Sequence, residues 1–391
     1  EWVLENSFWL KSIGEDPYGT VDDWAAADKP FGFLAGCVEW AGYCEHGEKF
    51  VSHLPIALDG SNSGLQHYSA ALRDEVGGST VNLKVTPAPQ DVYQVVADVV
   101  RKEVECDTEN PLASLWLSYG ISRKEVKRCV MTFPYSSEQF GFRQHLIEDL
   151  MKPLEDQVLS GVIETHPFGA DNGKAAATYL ASHIWSAVNK VVSKAASGMR
   201  FLQKCAQAMA HEGKPLSWVT PVGFPVLHKY IEWDVKRVAM FLHDRSVPVV
   251  NATASDKVTD RGEVLKKVVC NLRTKPKARI IKDRQRNAVA PNFIHSLDAS
   301  HLMLCTIAAK EAGIDDLLLI HDSFSTHACN TREYQGIIKR TFVDMYENND
   351  VFDDFYKGVI ASLSNLDKLP VPPQKGNLDL QETLLSDYAF S

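Results

Sequence analysis

Two aspartates stand at the ends of short apolar runs, far apart along the chain. Asp59 follows Leu54–Leu58, and Asp322 lies two residues beyond Leu317–Ile320. Such runs, bounded by turn-forming residues, predict short buried strands, so each carboxylate is expected at the tip of a rigid element and open to a cleft. Hard cations such as Mg2+ prefer oxygen ligands held in this way. An ordinary turn is the alternative for Asp59, because Asp-Gly commonly ends a strand.

A helix with cations on one face is the second feature that could do chemistry. The stretch Ser122–Tyr135 opens with an SRKE capping box, and Pro134 is expected to end or kink the helix. Arg123, Lys127 and Tyr135 recur at multiples of four residues, which places them along one slowly rotating face. Two cations followed by a hydroxyl suit a triphosphate and its sugar. An exposed helix with a basic face is the commoner alternative.

Positive charge is concentrated in one part of an acidic chain. The whole sequence has a net charge of -9, yet Lys266–Arg286 contains nine Lys or Arg against the single Asp283. A local field of this sign suits a polyanion, whose counterions would be released on binding. The surrounding segment Glu232–Arg286 is polar and irregular, which predicts a projecting loop. A solvated loop that binds nothing is the alternative.

Several helices are predicted around these features. Valines recur at every fourth residue in Pro89–Cys106, and Tyr93 lies beside that stripe, where core packing is its default role. Lys174–His211 is predicted as one long helix with a bend at 197–198. Pro291–Ala312 is predicted as a helix with His295 in its first turn, where a histidine is more often a bystander than a functional group.

Composition limits the classes of protein that fit. The chain has 391 residues, of which 45% are hydrophobic, and no apolar run approaches the length of a membrane span. Eight scattered cysteines without a CxxC pair favour reduced thiols in a cytosolic setting. The sequence contains no GxxxxGK[ST], GxGxxG, HExxH or GxSxG motif, so any phosphate is expected to be handled by metal ions and cationic side chains.

With these pieces located, the sequence resembles the single-subunit DNA-dependent RNA polymerases of bacteriophages and mitochondria. Four blocks match in the family's order, and the likeness runs from about residue 5 to the last residue. The blocks are DGSNSGLQHYSAALRDEVGG (59–78, similar to motif A), RKEVKRCVMTFPYSSEQFGFRQ (123–144, motif B), APNFIHSLDASHL (290–302) and IHDSFSTHA (320–328, motif C). The FGFRQ run and the SDYAFS ending are more similar to the phage branch.

The resemblance implies a two-metal nucleotidyltransferase. Asp59 and Asp322 would hold two Mg2+ ions, assisted by the Gly60 carbonyl. One ion would lower the pKa of the RNA 3′-hydroxyl, and the other would steady the triphosphate and the leaving pyrophosphate. The reaction would be template-directed addition of ribonucleotides to the RNA 3′-hydroxyl.

The resemblance also implies roles around the nucleotide. The cations that would neutralise phosphate charge are Arg123, Lys127 and Arg128. Tyr135, with Tyr93, would lie beside the incoming ribose and favour a 2′-hydroxyl, and His295 would contact the new base pair in its minor groove. Lys127 and Tyr135 would thus act with the two aspartates in catalysis.

The implied fold is α+β, a right-hand polymerase. Its palm would be built on a small antiparallel sheet and would comprise 1–111 and 288–391. Helical fingers would comprise 112–287 and would include a promoter-specificity loop at 231–286 that reads the DNA major groove.

The chain starts with Glu1 rather than Met and is expected to be the C-terminal part of a longer protein, lacking the N-terminal domain and thumb. Double-stranded DNA promoter and template, RNA product and ribonucleoside triphosphates are the expected partners, with no membrane. The full-length protein would be a monomer acting in the host bacterial cytoplasm.

Two departures and two rival interpretations accompany this resemblance. Phage members usually have Tyr-Gly where this chain has Tyr135-Ser136, and the loop before Pro291 is longer and more basic than the phage form. A DNA polymerase of the same architecture typically ends motif C with His-Asp-Glu, whereas Ser323 stands here. The other rival is a non-catalytic or split-enzyme nucleic-acid-binding fragment that needs a missing N-terminal half.

Overall fold

The fold is mainly helical, with three small antiparallel sheets. The computed structural model describes residues 1–243, 257–259, 264–367 and 369–391. Within them the helices are α1 Trp2–Glu5, α2 Ser7–Glu15, α3 Val21–Ala25, α4 Pro30–His46, α5 Ser63–Ala71, α6 Glu75–Thr80, α7 Val92–Cys106, α8 Pro111–Tyr119, α9 Arg123–Thr132, α10 Gln139–Leu146, α11 Lys152–Leu159, α12 Lys174–Val191, α13 Ser193–His211, α14 Lys282–Glu311, α15 Thr331–Asn348, α16 Val351–Ser362 and α17 Glu382–Leu385. The strands are β1 Pro55–Asp59, β2 Leu216–Val219, β3 Pro225–His228, β4 Ile231–His243, β5 Lys257–Val258, β6 Val264–Ile280, β7 Leu317–Ile320 and β8 Ser323–His327.

The sheet topology confirms an α+β fold with small antiparallel sheets. One sheet has the order β1-β8-β7, another is the hairpin β2-β3, and the third has the order β4-β6-β5. The first sheet joins strands from the two ends of the chain, so the segments that carry Asp59 and Asp322 belong to one structural unit. The predicted return of the chain after Asp322 as a hairpin partner is confirmed by β8.

Helix α5 lies at the centre of the main core. Every residue from Ser63 to Ala71 is buried, and the helix contacts α6, α13, α14 and α15. A helix buried on all sides must satisfy its polar side chains internally, because water cannot reach them. The polar residues of α5 therefore have to find partners on neighbouring helices.

The two strands that were predicted to be buried are largely exposed. In β1 only Leu58 is buried, and in β7 the exposed fraction of Ile320 is 58%. β1 and β7 are the edge strands of this sheet, and only the central strand β8 has three consecutive buried residues, so these apolar runs do not indicate burial. Residues 1–50 form α1–α4 around a small separate core of Leu10, Ile13 and Cys37.

The long helix predicted over Lys174–His211 is broken at Val192 rather than bent at 197–198. Gly198 lies inside α13, where an added Cβ would come within 2.9 Å of Leu72 and 3.1 Å of Tyr68. The glycine therefore permits close packing of α13 against α5, which is why it occurs within a helix.

The predicted irregular loop over Glu232–Arg286 is instead a long two-stranded ribbon followed by a helix. β4 pairs with β6 from Ile231↔Ile280 outward, and α14 begins at Lys282, nine residues before the predicted start. The parts of that loop at 244–256 and 260–263 lie outside the described residues. Because α14 continues through Pro291, His295 lies within the helix and not in its first turn.

No helix within 1–243, 264–367 or 369–391 has both the length and the apolar character that a bilayer crossing requires.

Candidate active site

Strand pairing brings Asp59 and Asp322 to the same end of one sheet. β1 runs antiparallel to β8 with Asp59 opposite Ser323, the residue that follows Asp322. Directly opposed residues in antiparallel strands have Cα atoms about 4.5–5.5 Å apart, so the register makes the two aspartates near neighbours. Both side chains are exposed, which leaves their oxygens open to a ligand.

Asp322 occupies a tight turn. Ile320 pairs with Ser323, so His321 and Asp322 form a two-residue hairpin loop, and His321 has a positive φ of 56°. A positive φ at the first loop position is the pattern of primed hairpin turns, which match the twist of the flanking strands. The turn therefore presents the Asp322 carboxylate on a short, constrained backbone.

The charge environment of Asp322 is unfavourable to its ionised form. Loss of hydration on its protein side raises the pKa of Asp322, and the negative charges of Asp298 and Asp59 raise it further. Like charges that are held close together repel unless a cation lies between them. This crowding of carboxylates is what a site for a divalent cation requires.

A buried polar network lies behind the two aspartates. The Asp298 carboxylate accepts from the Ser63 hydroxyl and lies 2.8 Å from His67 Nε2, and His67 Nδ1 shares a short hydrogen bond with the Tyr346 hydroxyl. Burial alone would raise the pKa of Asp298, but His67 and Ser63 hold it below its usual range. The network ties α5, α14 and α15 together directly beneath Asp322.

Sequence reasoning assigned no role to the residues of this network. Gly60, Ser63, His67, Asp298 and Asp322 line one small cavity. The family resemblance could have indicated these residues, because Ser63 and His67 lie in the 59–78 motif block and Asp298 lies in the 290–302 block. Their contacts could not be foreseen, because Ser63 and Asp298 are separated by 235 positions.

The cation-bearing helix forms as predicted. The capping box between Ser122 and Glu125 is present, with the Ser122 N–H donating to Glu125 Oε2 at 2.9 Å, and the helix ends at a 3-10 turn containing Pro134. Lys127 is exposed, and no described residue forms a hydrogen bond or an ion pair with its ammonium group. Its charge is therefore open to an external anion.

The two arginines of this helix have different environments. Arg123 donates to Asp91 at 2.5 Å, and its guanidinium lies 5.0 Å from the centre of the Tyr93 ring. Arg128 instead contacts Asp149 at 2.5 Å and Glu148 at 3.3 Å. Five residues turn a helix by about 140°, so the structure brings Arg123 to the Tyr93 side and turns Arg128 away from it.

Tyr93 has the core-packing position that was its default prediction. It is buried against the core, with an exposed fraction of 7%, and its hydroxyl accepts from Asn62 at 3.3 Å and donates to the Ser61 carbonyl at 3.4 Å. Burial raises the pKa of Tyr93. The hydroxyl is thereby held next to the loop that follows Asp59.

Tyr135 and His295 are brought together from distant parts of the chain. Their rings stack with centroids 4.7 Å apart, and the Tyr135 hydroxyl lies against the backbone of Gly64. An added Cβ at Gly64 would meet this hydroxyl at 3.1 Å and Pro134 at 2.8 Å, so glycine permits the close approach. Burial raises the pKa of Tyr135, as do the charges of Asp298 and Asp322, which keeps the phenol neutral and able to donate.

Ser136 adopts a backbone conformation that favours glycine. Its φ is 67° and its ψ is 22°, and its hydroxyl accepts from Gln203 Nε2 at 3.2 Å. The left-handed conformation costs a non-glycine residue about 1–2 kcal/mol. The backbone beside Tyr135 therefore keeps a glycine-like geometry although the residue is serine.

The structure brings several of the predicted residues into contact with each other and gives Arg128 other partners. Arg123 lies over the Tyr93 ring and Tyr135 stacks on His295, whereas Arg128 contacts Glu148 and Asp149. Within the described residues, no group of three or more His, Cys, Asp or Glu side chains is arranged to hold a metal ion. Asp59 and Asp322 themselves offer two exposed carboxylates.

The matches of this chain to a family model and to individual relatives agree with each other. Residues 1–371 match the family described as DNA-dependent RNA polymerase. The chain is 38% identical over 411 aligned positions to the DNA-directed RNA polymerase of Enterobacteria phage T3, and 37% identical over 411 positions to T7 RNA polymerase of Escherichia phage T7; each alignment covers 94% of this chain and 43% of the relative. It is 33% identical over 378 positions to DNA-directed RNA polymerase 2, chloroplastic/mitochondrial, of Arabidopsis thaliana, covering 94% of this chain and 33% of the relative. The chain spans less than half the length of these relatives.

Proposed function

The chain belongs to the DNA-dependent RNA polymerase family, and from this premise we propose that it is the nucleotide-adding part of an RNA polymerase. It would transfer ribonucleotides to the RNA 3′-hydroxyl under the direction of a DNA template, with release of pyrophosphate. The observation that carries the proposal is the pairing of β1 with β8, which joins Asp59 and Asp322 at one open end of a sheet. Two-metal nucleotidyl transfer needs a pair of carboxylates held in this way.

The residues present fit a pair of Mg2+ ions. Asp59 and Asp322 would hold them, with the Gly60 carbonyl assisting, and the repulsion that raises the pKa of Asp322 would be relieved by the positive charge. When bound, the ions would supply Lewis-acid chemistry that activates the 3′-hydroxyl and neutralises the leaving pyrophosphate. The network of Asp298, His67 and Ser63 would keep the aspartate-bearing elements in register.

The α9 helix would bind the triphosphate. Lys127 has no described partner that competes for its charge, whereas Arg123 is already oriented by Asp91 and the Tyr93 ring. We assign the main phosphate contact to Lys127 and a supporting contact to Arg123, since fixed cations stabilise charge that develops during phosphoryl transfer. Arg128 would reach phosphate only by leaving Glu148 and Asp149.

The Tyr135–His295 stack would read the sugar and base of the incoming nucleotide. Tyr135 remains a neutral phenol and can donate a hydrogen bond near the ribose, and exposed His295 can reach a base-pair edge. Tyr93, held by Asn62, would support the same region. The arrangement favours substrates with a 2′-hydroxyl, because a site built around a polar group loses a partner when that group is absent.

The remaining assignments extend the same proposal. Residues 1–111 and 288–391 would form the palm and 112–287 the fingers, and the β4–β6 ribbon would contact promoter DNA in its major groove. Promoter and template DNA, RNA and ribonucleoside triphosphates would be the partners of a monomeric polymerase. The similarity to phage enzymes suggests action in the cytoplasm of a bacterial host.

Primer extension tests the proposal. The purified chain is mixed with an RNA primer annealed to a DNA template and ribonucleoside triphosphates, with Mg2+ or with EDTA. The chain is tested alone and together with the N-terminal half of the T7 relative. We expect Mg2+-dependent, template-matched extension in at least one arm. Absence of extension in both arms, with the protein folded and bound to the hybrid, would support a non-catalytic nucleic-acid-binding protein instead.

A further inference from the structure

A cleft lies at the root of the β4–β6 ribbon, away from the paired aspartates. Its volume is about 700 Å3, and its walls come from the chain just before β4, the first part of β4, the middle of β6 and the start of α14. The root is closed by a hydrogen bond from the Ile281 N–H to the Tyr230 carbonyl at 2.9 Å. The cleft is therefore built from four segments rather than from one mobile loop.

Three cations line this cleft without an acidic partner. Lys229, Arg273 and Arg284 are exposed, and no described residue forms an ion pair or a hydrogen bond with their charged groups. The acidic side chain of the cleft, Glu232, contacts Arg279 at 3.3 Å. The cleft thus carries uncompensated positive charge, which suits an anionic ligand with more than one charge.

Two aromatic side chains complete the walls. Tyr230 is anchored, because its hydroxyl accepts from Asn292 at 3.1 Å and its N–H donates to Gln285 at 3.0 Å. Trp233 is half-buried and lies opposite Pro276, between two register shifts of the ribbon. Such irregularities re-aim a side chain relative to the regular ladder, and here the aimed residue lines the cleft.

We infer that this cleft binds a single-stranded segment of nucleic acid, with bases against Trp233 and Tyr230 and phosphates against Lys229, Arg273 and Arg284. Aromatic platforms interleaved with cations are the combination that recognises single strands, since every base has a stacking face and every linkage a charge. A duplex hides its base faces, so it could use the cations but not the aromatic rings.

The position of the cleft agrees with this ligand. Arg284 and His295 lie on the same helix, and a rise of 1.5 Å per residue separates them by about 16 Å along its axis. About five stacked nucleotides at about 3.4 Å each span that distance. Use of the cleft by a template or transcript strand rests on the proposed function, but binding to the cleft does not.

Fluorescence anisotropy with labelled ten-residue oligonucleotides tests the inference. The full chain is titrated in EDTA without nucleotides, so the result does not depend on whether the chain polymerises. Four ligands are compared: single-stranded DNA, single-stranded RNA, a DNA strand of abasic residues, and a duplex of the same length. The DNA and RNA arms show which strand the cleft prefers.

Two sets of substitutions separate stacking from charge. Trp233→Ala should weaken binding of base-bearing strands about 5- to 100-fold and leave the abasic strand unchanged, because only stacking is lost. Trp233→Phe should keep most of the affinity and shows that the position tolerates change. Replacing Lys229, Arg273 and Arg284 by Gln should weaken both kinds of strand and flatten the plot of log K against log salt by up to about 2.

The matched control removes two exposed cations that have acidic partners and do not line the cleft. Lys190→Gln with Lys357→Gln should change single-strand affinity by less than about twofold, since Lys190 contacts Glu103 at 2.6 Å and Lys357 contacts Asp353 at 2.6 Å. The inference is overturned if Trp233→Ala affects abasic and base-bearing strands equally, if neither variant set weakens binding, or if the duplex loses as much affinity as the single strands in Trp233→Ala.

Discussion

Two three-stranded antiparallel sheets in this molecule have opposite designs. The β1-β8-β7 sheet has strands of four or five residues, is backed by buried helices, and carries two carboxylates at one end. The β4-β6-β5 sheet contains strands of 13 and 17 residues, and along β6 only the terminal residues Val264 and Ile280 are buried. The β1-β8-β7 sheet holds two carboxylates in place, whereas the β4-β6-β5 sheet exposes its charged side chains to solvent.

The difference follows from what each kind of site requires. The metal-dependent chemistry proposed for the first sheet would need a few oxygens held rigidly, which suits short strands next to the buried His67–Asp298 pair. The polyanion binding proposed for the second sheet would need many accessible charges but little positional accuracy, which suits long, exposed strands. Substitutions in the first sheet should therefore act on turnover, and those in the second on salt-dependent affinity.

The largest effect is expected at the paired carboxylates. Asp59→Asn and Asp322→Asn should each lower nucleotide addition by at least about a thousandfold, because an amide neither neutralises nor binds Mg2+ as well. Single-turnover primer extension measures the loss. Asp316→Asn, at the far end of the same sheet, is the matched control and should remain active.

A folding control accompanies these variants. The pKa of Asp322 is raised, so its ionised form is less favourable in the folded chain above pH 4 than in the unfolded chain. Asp322→Asn should therefore unfold in EDTA at the same temperature as the unmodified chain or higher. Near-normal turnover in either Asp variant would refute the assignment.

The network behind the first sheet should be the next most sensitive region. Asp298→Asn should lower the free energy of unfolding at pH 7 by about 2–4 kcal/mol, since His67 loses a buried charged partner. The pKa of Asp298 is lowered in the folded chain, so this contribution is present above the carboxyl's unfolded pKa and is lost as pH falls through the folded value.

Chemical denaturation at pH 7 and at pH 3 measures this contribution. The difference between Asp298→Asn and the unmodified chain should shrink at the lower pH. Ser63→Ala removes only one hydroxyl hydrogen bond to the same ionised carboxylate and should cost about 1.5–3 kcal/mol. A difference that does not change with pH would mean that the charge of Asp298 is not what stabilises the fold.

Substitutions in the β4-β6-β5 sheet should change how strongly DNA affinity depends on salt concentration. Arg273, Lys275, Lys277 and Arg279 alternate along β6, and replacing all four by Gln should flatten the dependence of log K for duplex DNA on log salt by up to about 3 to 4. Replacing four exposed lysines elsewhere, namely Lys29, Lys49, Lys102 and Lys310, should have a smaller effect. Equal slopes for the two variants would identify the ribbon as an ordinary solvated surface.

Lys127 and Arg128 are neighbouring cations of α9, and we expect their substitution to have different effects on catalysis. Lys127→Ala should raise the nucleotide KM and lower kcat, for a combined loss of about 10- to 100-fold, because a charge-assisted contact to phosphate is removed. Arg128→Ala should change kcat/KM by less than about threefold, since its partners Glu148 and Asp149 are not substrate. Steady-state extension kinetics compare the two; equal losses would argue against separate roles.

The smallest of these effects is expected on the choice of sugar. Tyr135→Phe should keep polymerisation but lower the preference for ribonucleotides over deoxyribonucleotides by roughly 5- to 100-fold, because one hydrogen bond near the sugar is lost. Ser136→Gly, which keeps the left-handed backbone, should leave the preference nearly unchanged. Matched rNTP and dNTP in competition on one primed template provide the measurement, and an unchanged preference in Tyr135→Phe would remove the role given to Tyr135.

Particular elements show how far local reasoning reaches. The capping box at Ser122, the break at Pro134 and the hairpin after Asp322 were all predicted, because each depends on hydrogen bonds and sterics within a few residues. The ribbon was predicted as an irregular loop, since its strands pair at long range and their polar residues lack a buried face that would show a period of two.

The sequence alone was enough to predict the capping box at Ser122, the hairpin at Asp322 and, from the motif blocks, the family to which the chain belongs. Only the tertiary structure decided which groups meet. It paired Asp59 with the strand beside Asp322, stacked Tyr135 on His295, joined Ser63 to Asp298, and turned Arg128 toward Glu148 and Asp149. These contacts join segments distant along the chain, and they form only when burial of the intervening helices offsets the entropy of closing the loops between them.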